Sequence, residues 1–154
     1  GAEINEVDTD ALKELAAGAV NLFATRGKIE KYVEKTAAKA FPNLCHLLDP
    51  MLASRLVTIA GGLERMAKMP GSTVQLLGAE KALFKHLRRG TNPPKHGVIF
   101  QCPLVRNAKE GHRGAIARTL AGKLALAARA DFYTGNFIAE KLKIDLEKRI
   151  SELK

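Results

Sequence analysis

The sequence predicts an all-α protein: a long N-terminal helix of coiled-coil type leading into a compact helical body. Three observations carry this. Ala and Leu dominate an apolar share of 46%, while aromatic residues make up 5% and Trp is absent, a balance that favours close-packed helices over a β-sandwich. Apolar residues recur at three- and four-residue spacing at both ends of the chain. No stretch reads as part of a sheet, and there is no internal repeat or low-complexity tract. At 154 residues the chain is long enough for a sizeable core.

The elements follow in order. Thr9 or Asp10 is the expected cap of a helix opening at Ala11. Leu12, Leu15, Ala19, Leu22, Arg26, Ile29, Val33, Thr36 and Ala40 then follow a heptad seam, with Arg26 and Thr36 as its polar interruptions. A helix over 10–40 would be ~45 Å long, more than a small core covers, so residues 12–40 are expected to meet a partner helix or a second copy. Phe41-Pro42-Asn43 stops it, which places a boundary between a segment 1–42 and a body 43–154. Asp49 and Pro50 read as N-cap and first helical residue of a helix running to about Ala67. Met69-Pro70-Gly71 ends it, Ser72 or Thr73 restarts the chain, and Gly78 breaks the run again.

The next helix is in "LLGAEKALFKHLRRG". At ~100° per residue Lys81, Lys85, Arg88 and Arg89 share one arc, with Leu83, Phe84 and Leu87 opposite. The apolar arc is expected inward and the cationic arc outward, with Gly90 as a left-handed cap. Thr91-Asn92-Pro93-Pro94 is a stiff connection, and His96–Phe100 reads as an extended piece. Residues 113–130 form a helix rich in Ala and Gly that can pack closely on its neighbours. A last helix over 136–153 carries Ile138, Leu142, Leu146, Ile150 and Leu153 on one stripe.

Charge is unevenly placed. The chain carries +9 overall, yet residues 51–135 hold fourteen Lys and Arg against four Asp and Glu, a net of +10. Such a concentrated field favours a polyanion, nucleic acid first. Catalytic signatures are missing. His46, His86, His96 and His112 do not pair at ligand spacing, Cys45 and Cys102 form no C-x-x-C, and "GAEK" lacks the spaced Gly and the Ser/Thr of a P-loop. The two cysteines read as reduced thiols of an intracellular protein. No apolar run approaches the ~20 residues of a membrane span. A binding protein without catalysis, metal or cofactor is expected.

Several segments together resemble one known family. "MPGSTVQLLGAEKALFKHLRRGTNPPKHGVIFQCPLV" followed by "HRGAIARTLAGKLALAARAD" is similar to the Nop domain, most closely in its archaeal form, and the N-terminal helix ending in "AFPNL" resembles the second helix of that family's coiled coil. The resemblance spans nearly the whole chain. It implies a scaffold of box C/D ribonucleoproteins that clamps a kink-turn RNA together with the small protein already bound to it, in support of guide-directed 2′-O-methylation. The family tethers fibrillarin through an N-terminal domain that has no counterpart in these 154 residues. The resemblance further implies a cytoplasmic location in an archaeon, and a nucleolar or nuclear one in a eukaryote.

On that basis Lys81, Lys85, Arg88, Lys95, His96, Gln101, Arg106, Arg113 and Arg118 are the expected RNA contacts, and Gly78, Ala79, Glu80 and Lys81 face the kink-turn protein. Arg89 and Lys109 add charge beside them. Arg113 and Arg118 fall ~140° apart on a helix, so they do not share a narrow stripe, and Arg113 is the better phosphate ligand. Glu80 also suits a first helical turn without any partner. His96 either stacks on a base or fills space beside Pro94. Two departures stand out: Ala115 where archaeal relatives often carry Lys, and "NAKEGH" where aromatic residues are often seen. With Phe84 and Phe100 read as core, recognition of shape and phosphates is expected over base sequence. The competing reading is a protein-only coiled-coil adaptor whose basic face is merely solvated.

Overall fold

The computed structural model describes residues 6–152. The chain runs through α1 (Glu6–Ala40), α2 (Pro42–Leu47), α3 (Pro50–Ala60), α4 (Leu63–Lys68), α5 (Gly71–Leu76), α6 (Glu80–Arg89), a 3-10 turn (Val98–Gln101), α7 (Pro103–Arg106), α8 (Glu110–Arg129), a π turn (Ala130–Thr134) and α9 (Ala139–Ser151). No strand occurs among the described residues.

α8 is the axis of the body. Ile116, Ala117, Leu120, Ala121, Leu124, Ala125, Ala127 and Ala128 are buried along it, and α2, α4, α5, α7 and α9 pack around it. Its small residues permit the close approach that their spacing suggests. A Cβ placed on Gly71 of α5 would lie 3.0 Å from the Gly122 Cα, so the two backbones nearly touch. Leu44, Leu56, Met66, Val74, Ile99, Val105 and Leu146 complete the core from the surrounding elements.

α1 stands largely outside this body. It runs 35 residues, roughly 50 Å, with no break at Gly27. Its C-terminal part packs on α2 and α3, where Ala37 is buried. Towards the N-terminus Leu12, Leu15, Leu22 and Ile29 of the heptad seam are exposed, Leu22 at 73%. The helix is already running at Glu6, so Thr9 and Asp10 lie within its first turns and not at a cap.

Other expectations change in detail. Asp49 caps α3 as the sequence indicates, its carboxylate accepting from the amides of Met51 and Leu52. The helix predicted to reach Ala67 ends at Ala60, because Gly61 takes a left-handed φ of +83° and Gly62 a φ of +116°, and the chain restarts as α4. Short helices α2 and α7 occupy stretches to which the sequence reading assigns no element, each begun by a proline at its first position. The piece expected to be extended, His96–Phe100, turns instead into the 3-10 segment, with Phe100 N–H donating to Gly97 O and Cys102 N–H to Ile99 O. The last helix starts at Ala139, three residues later than predicted; Leu153 lies outside the described residues.

One polar cluster ties α2 to the π turn and to the stretch that follows it. The Asp131 carboxylate of the π turn accepts from the backbone N–H of Asn43 and Leu44 and from Asn43 Nδ2, at 2.7–3.0 Å. Asn43, fully buried, also donates to Asn136 O and accepts from Ile138 N–H. The free amides at the start of α2 are thereby satisfied by a carboxylate 88 residues away.

Candidate nucleic-acid interface

The site is built on α6, and its two ends explain its placement. Gly78 adopts φ +81°, and a Cβ there would fall 2.4 Å from Val98 Cγ2. Its smallness therefore serves an internal contact with Val98. The Glu80 carboxylate turns back to accept from Gly78 N–H at 2.7 Å, closing the helix start. Ala79 is the N-cap residue. At the other end Gly90, φ +64°, donates to His86 O at 2.8 Å, and His86 Nδ1 is hydrogen-bonded to Thr91 O.

Between these anchors the body of α6 is uncovered. None of its residues is buried, and it takes no part in the extensive helix packing of the core. Phe84 is 61% exposed and Leu87 70%. Both the expected inward arc and the reading of Phe84 as core are thus corrected. A helical pattern states that two faces differ in polarity; whether anything covers the apolar one depends on where the flanking connections hold the helix. On α6 Leu83 and His86 are half-buried and the rest of the helix is exposed. Lys81, Lys85, Arg88 and Arg89 are all exposed, lie with Phe84 along one shallow surface, and enter none of the ion pairs among the described residues.

A second group forms where the 3-10 turn meets the start of α8. His96 stacks on Phe100 with ring centroids 4.5 Å apart and an interplanar angle of 12°. The Arg113 guanidinium sits 5.7 Å from the centroid of that Phe100 ring, and its Nε donates to Ala108 O at 3.0 Å. Burial, with the Arg113 and Lys95 charges nearby, pushes the His96 imidazole below its usual range. His96 therefore already has a stacking partner inside the protein, and Arg113 is held in place by its neighbours. Lys95 is exposed, and its carbonyl accepts from Gln75 Nε2 at 2.6 Å.

Gln101 projects from the end of the 3-10 turn, where its Oε1 accepts from Arg55 Nη1 at 3.2 Å. Arg55, on α3, is a cation that sequence reasoning passed over, since nothing local marks it; only the fold brings it across 46 residues to Gln101. Arg106 and Arg118 are exposed on α7 and α8, with no described contact linking them to either group. Cys45 and Cys102 are free thiols; burial pushes Cys45 up to about 11, with the Asp131 and Asp49 charges adding to the effect. No group of three or more His, Cys, Asp or Glu residues is placed to hold a metal among the described residues, and no described helix is long and apolar enough to cross a membrane.

Comparison with known proteins places this architecture. Residues 1–152 match the Nop family, described as a snoRNA binding domain and fibrillarin. An uncharacterized NOP5 family protein of Methanocaldococcus jannaschii is 47% identical over 154 residues, 100% of this chain and 37% of the relative. Nucleolar protein 58 of Eremothecium gossypii is 37% identical, across 99% of the chain and 31% of the relative. Nucleolar protein 56 of Caenorhabditis elegans is 34% identical, across 96% and 32%. Among solved structures, a chain of a fibrillarin/Nop5p complex superposes with a TM-score of 0.75 at 30% identity, covering 99% of this chain and 56% of that one. The chain thus spans about a third of the length of these curated relatives.

Proposed function

The chain belongs to the Nop family, and from that membership we propose that it acts as a non-catalytic scaffold of box C/D ribonucleoproteins, clamping a kink-turn RNA together with the small protein bound to it. The observation that carries this reading is α6: four cations exposed on one uncovered helix, in the most basic part of the chain. A merely solvated face would not need a helix held away from the core with Phe84 and Leu87 bare beside its charges. Lys81, Lys85, Arg88 and Arg89 would take phosphates, as point charges and forks that fix position without reading sequence. Phe84 would lie against the ribose and base surface next to them.

In this reading Gln101, paired with Arg55, offers an amide and a guanidinium to a base edge or a 2′-OH. Lys95, His96, Arg106, Arg113 and Arg118 contribute charge and shape around it, Arg113 from its fixed position over Phe100. The segment Gly78, Ala79, Glu80 and Lys81 meets the kink-turn protein. Residues 1–42 serve as the coiled-coil arm and 43–154 as the particle-binding body. The exposed seam of α1 takes a coiled-coil partner or a second copy. Fibrillarin is held through an N-terminal domain distinct from these residues, and the assembly supports 2′-O-methylation. The nucleolar names of the eukaryotic relatives suit this role.

The test is a gel-shift titration with a kink-turn RNA, with and without its small protein. Lys81→Ala plus Arg88→Ala should weaken binding at least tenfold while leaving the circular dichroism spectrum unchanged. Equal affinity of the double variant and the parent would refute the reading.

A further inference from the structure

The C-terminal end of α8 lies about 24 Å along the helix from Arg113 and carries a surface that the functional reading above leaves unused. There Ala130–Thr134 winds as a π turn, closed by Gly135 N–H donating to Ala130 O at 2.7 Å. The turn divides its side chains. Asp131 is drawn inward to the amides of Asn43 and Leu44, while Phe132 and Tyr133 stay outside, 41% and 58% exposed. Their rings meet edge to face with centroids 4.9 Å apart. We propose that this end of α8 binds a stretch of unpaired RNA, with bases stacked on Phe132 and Tyr133 and phosphates held by Arg129, Lys68 and Arg118. The inference deepens the functional reading, rests on it for the class of partner, and gives the RNA a second point of attachment.

The fold places the cations. Arg129, the last residue of α8, is exposed, and its Nε donates to Ala67 O at 3.1 Å. That bond holds the side chain against the end of α4 and leaves its Nη atoms for another acceptor. Lys68 follows Ala67 directly. The Glu64 carboxylate holds its ammonium above the ordinary range, and Tyr133 is near enough to add to the effect. The Lys68–Glu64 pair, 2.6 Å long, is exposed on both sides, so a phosphate can draw the lysine away at little cost. Arg118 stands eleven residues before Arg129. At ~100° per residue the two fall within about 20° of each other on α8, ~16 Å apart along its axis. Between them α5 crosses that face at Gly122, and it exposes Ser72 and Thr73 there. Arg118, which touches neither group of the interface built on α6, thus belongs with the far end of the helix.

Charge and chemistry select unpaired nucleic acid as the occupant. The acidic residues of α4 and the π turn, Glu64 and Asp131, are both committed inside the protein, and α5 has none. Two aromatic rings among cations are left facing solvent, the combination that holds single strands by stacking and phosphate contact together. A duplex keeps its bases stacked on one another and would use the cations alone. Asp131 fixes the turn from inside, so the rings are in place before any ligand arrives.

The experiment uses a short unstructured oligouridylate, and a kink-turn RNA with and without an unpaired extension of the same sequence. Phe132→Leu plus Tyr133→Leu keeps the surface apolar and removes the ring faces. This double variant should lose tenfold or more on the oligouridylate at low salt, with an unchanged melting temperature. The extension should tighten kink-turn binding by the parent and not by the variant. Ultraviolet crosslinks of the oligouridylate to the parent should map to residues 132–133, and should persist in Lys81→Ala plus Arg88→Ala. Lys68→Gln, at an exposed site, should weaken oligouridylate binding with both rings intact. Equal oligouridylate affinity of the leucine variant and the parent, or crosslinks confined to α6, would overturn the proposal. If the variant instead loses only its hold on protein-loaded RNA, the surface belongs to a protein and the proposal falls. Should the parent bind no kink-turn RNA, the scaffold reading fails by itself, and the oligouridylate crosslinks still decide this site.

Discussion

Single residues here do separable kinds of work. Asp131 holds the start of α2 through three hydrogen bonds from Asn43 and Leu44. Asp131→Ala would strand buried donors, each costing roughly 1–3 kcal/mol when unsatisfied, so a loss of about 3 kcal/mol is expected in urea unfolding. Gly78 is the second case. Gly78→Ala would impose a left-handed conformation worth about 1–2 kcal/mol against it, besides the clash with Val98. It should lower both the melting temperature and RNA affinity, whereas Lys81→Ala should lower affinity alone. Cys45 is the third. With its thiol pushed up to about 11, only about one part in a thousand is thiolate at pH 8, and alkylation by iodoacetamide should be far slower than for free cysteine. His96 bears on pH dependence. Its folded-state pKa lies below the ordinary 6.5, so the unfolded chain binds the proton more readily and stability falls as pH drops through 6.5. Melting curves of His96→Phe should show a flatter dependence across that window.

At the scale of elements, α6 and α8 are opposites. α8 buries eight residues along one helix, and α6 buries none. A ten-residue helix with so little packing is marginal in water, so its anchored ends, Gly78–Glu80 and His86–Gly90–Thr91, and the half-buried Leu83 matter for keeping α6 formed. Its amides should exchange hydrogen much faster than those of α8, and bound RNA should slow them selectively. Phe84→Ser should leave unfolding free energy within about 0.5 kcal/mol of the parent, as for other exposed positions, while weakening RNA binding.

For the whole molecule, an extended arm, α1, meets a basic body where its C-terminal part packs on α2 and α3. The basic body predicts a steep salt dependence. Removing Lys81 and Arg88 together should reduce the slope of log K against log salt by about 1.4–1.8, at roughly 0.7–0.9 per phosphate contact. The arm predicts self-association, because Leu12, Leu15, Leu22 and Ile29 remain exposed. Sedimentation should show a concentration-dependent dimer that Leu15→Glu plus Leu22→Glu abolishes without disturbing the core.

Local chemistry alone determined much of this. The heptad spacing from Leu12 to Ala40, the Asp49–Pro50 helix start, the Gly90 cap and the clustering of cations at 81–89 all depend on near neighbours, so they were legible without a fold. The break at Gly61–Gly62 and the 3-10 turn at Val98–Gln101 were not, because the same residues suit more than one local geometry until the core selects one. Tertiary structure alone decided that Phe84 and Leu87 stay bare, that His96 spends its ring on Phe100, and that Arg55 reaches Gln101. Periodicity says which side chains share a face; only the arrangement of every other element says whether that face meets core, solvent or a partner.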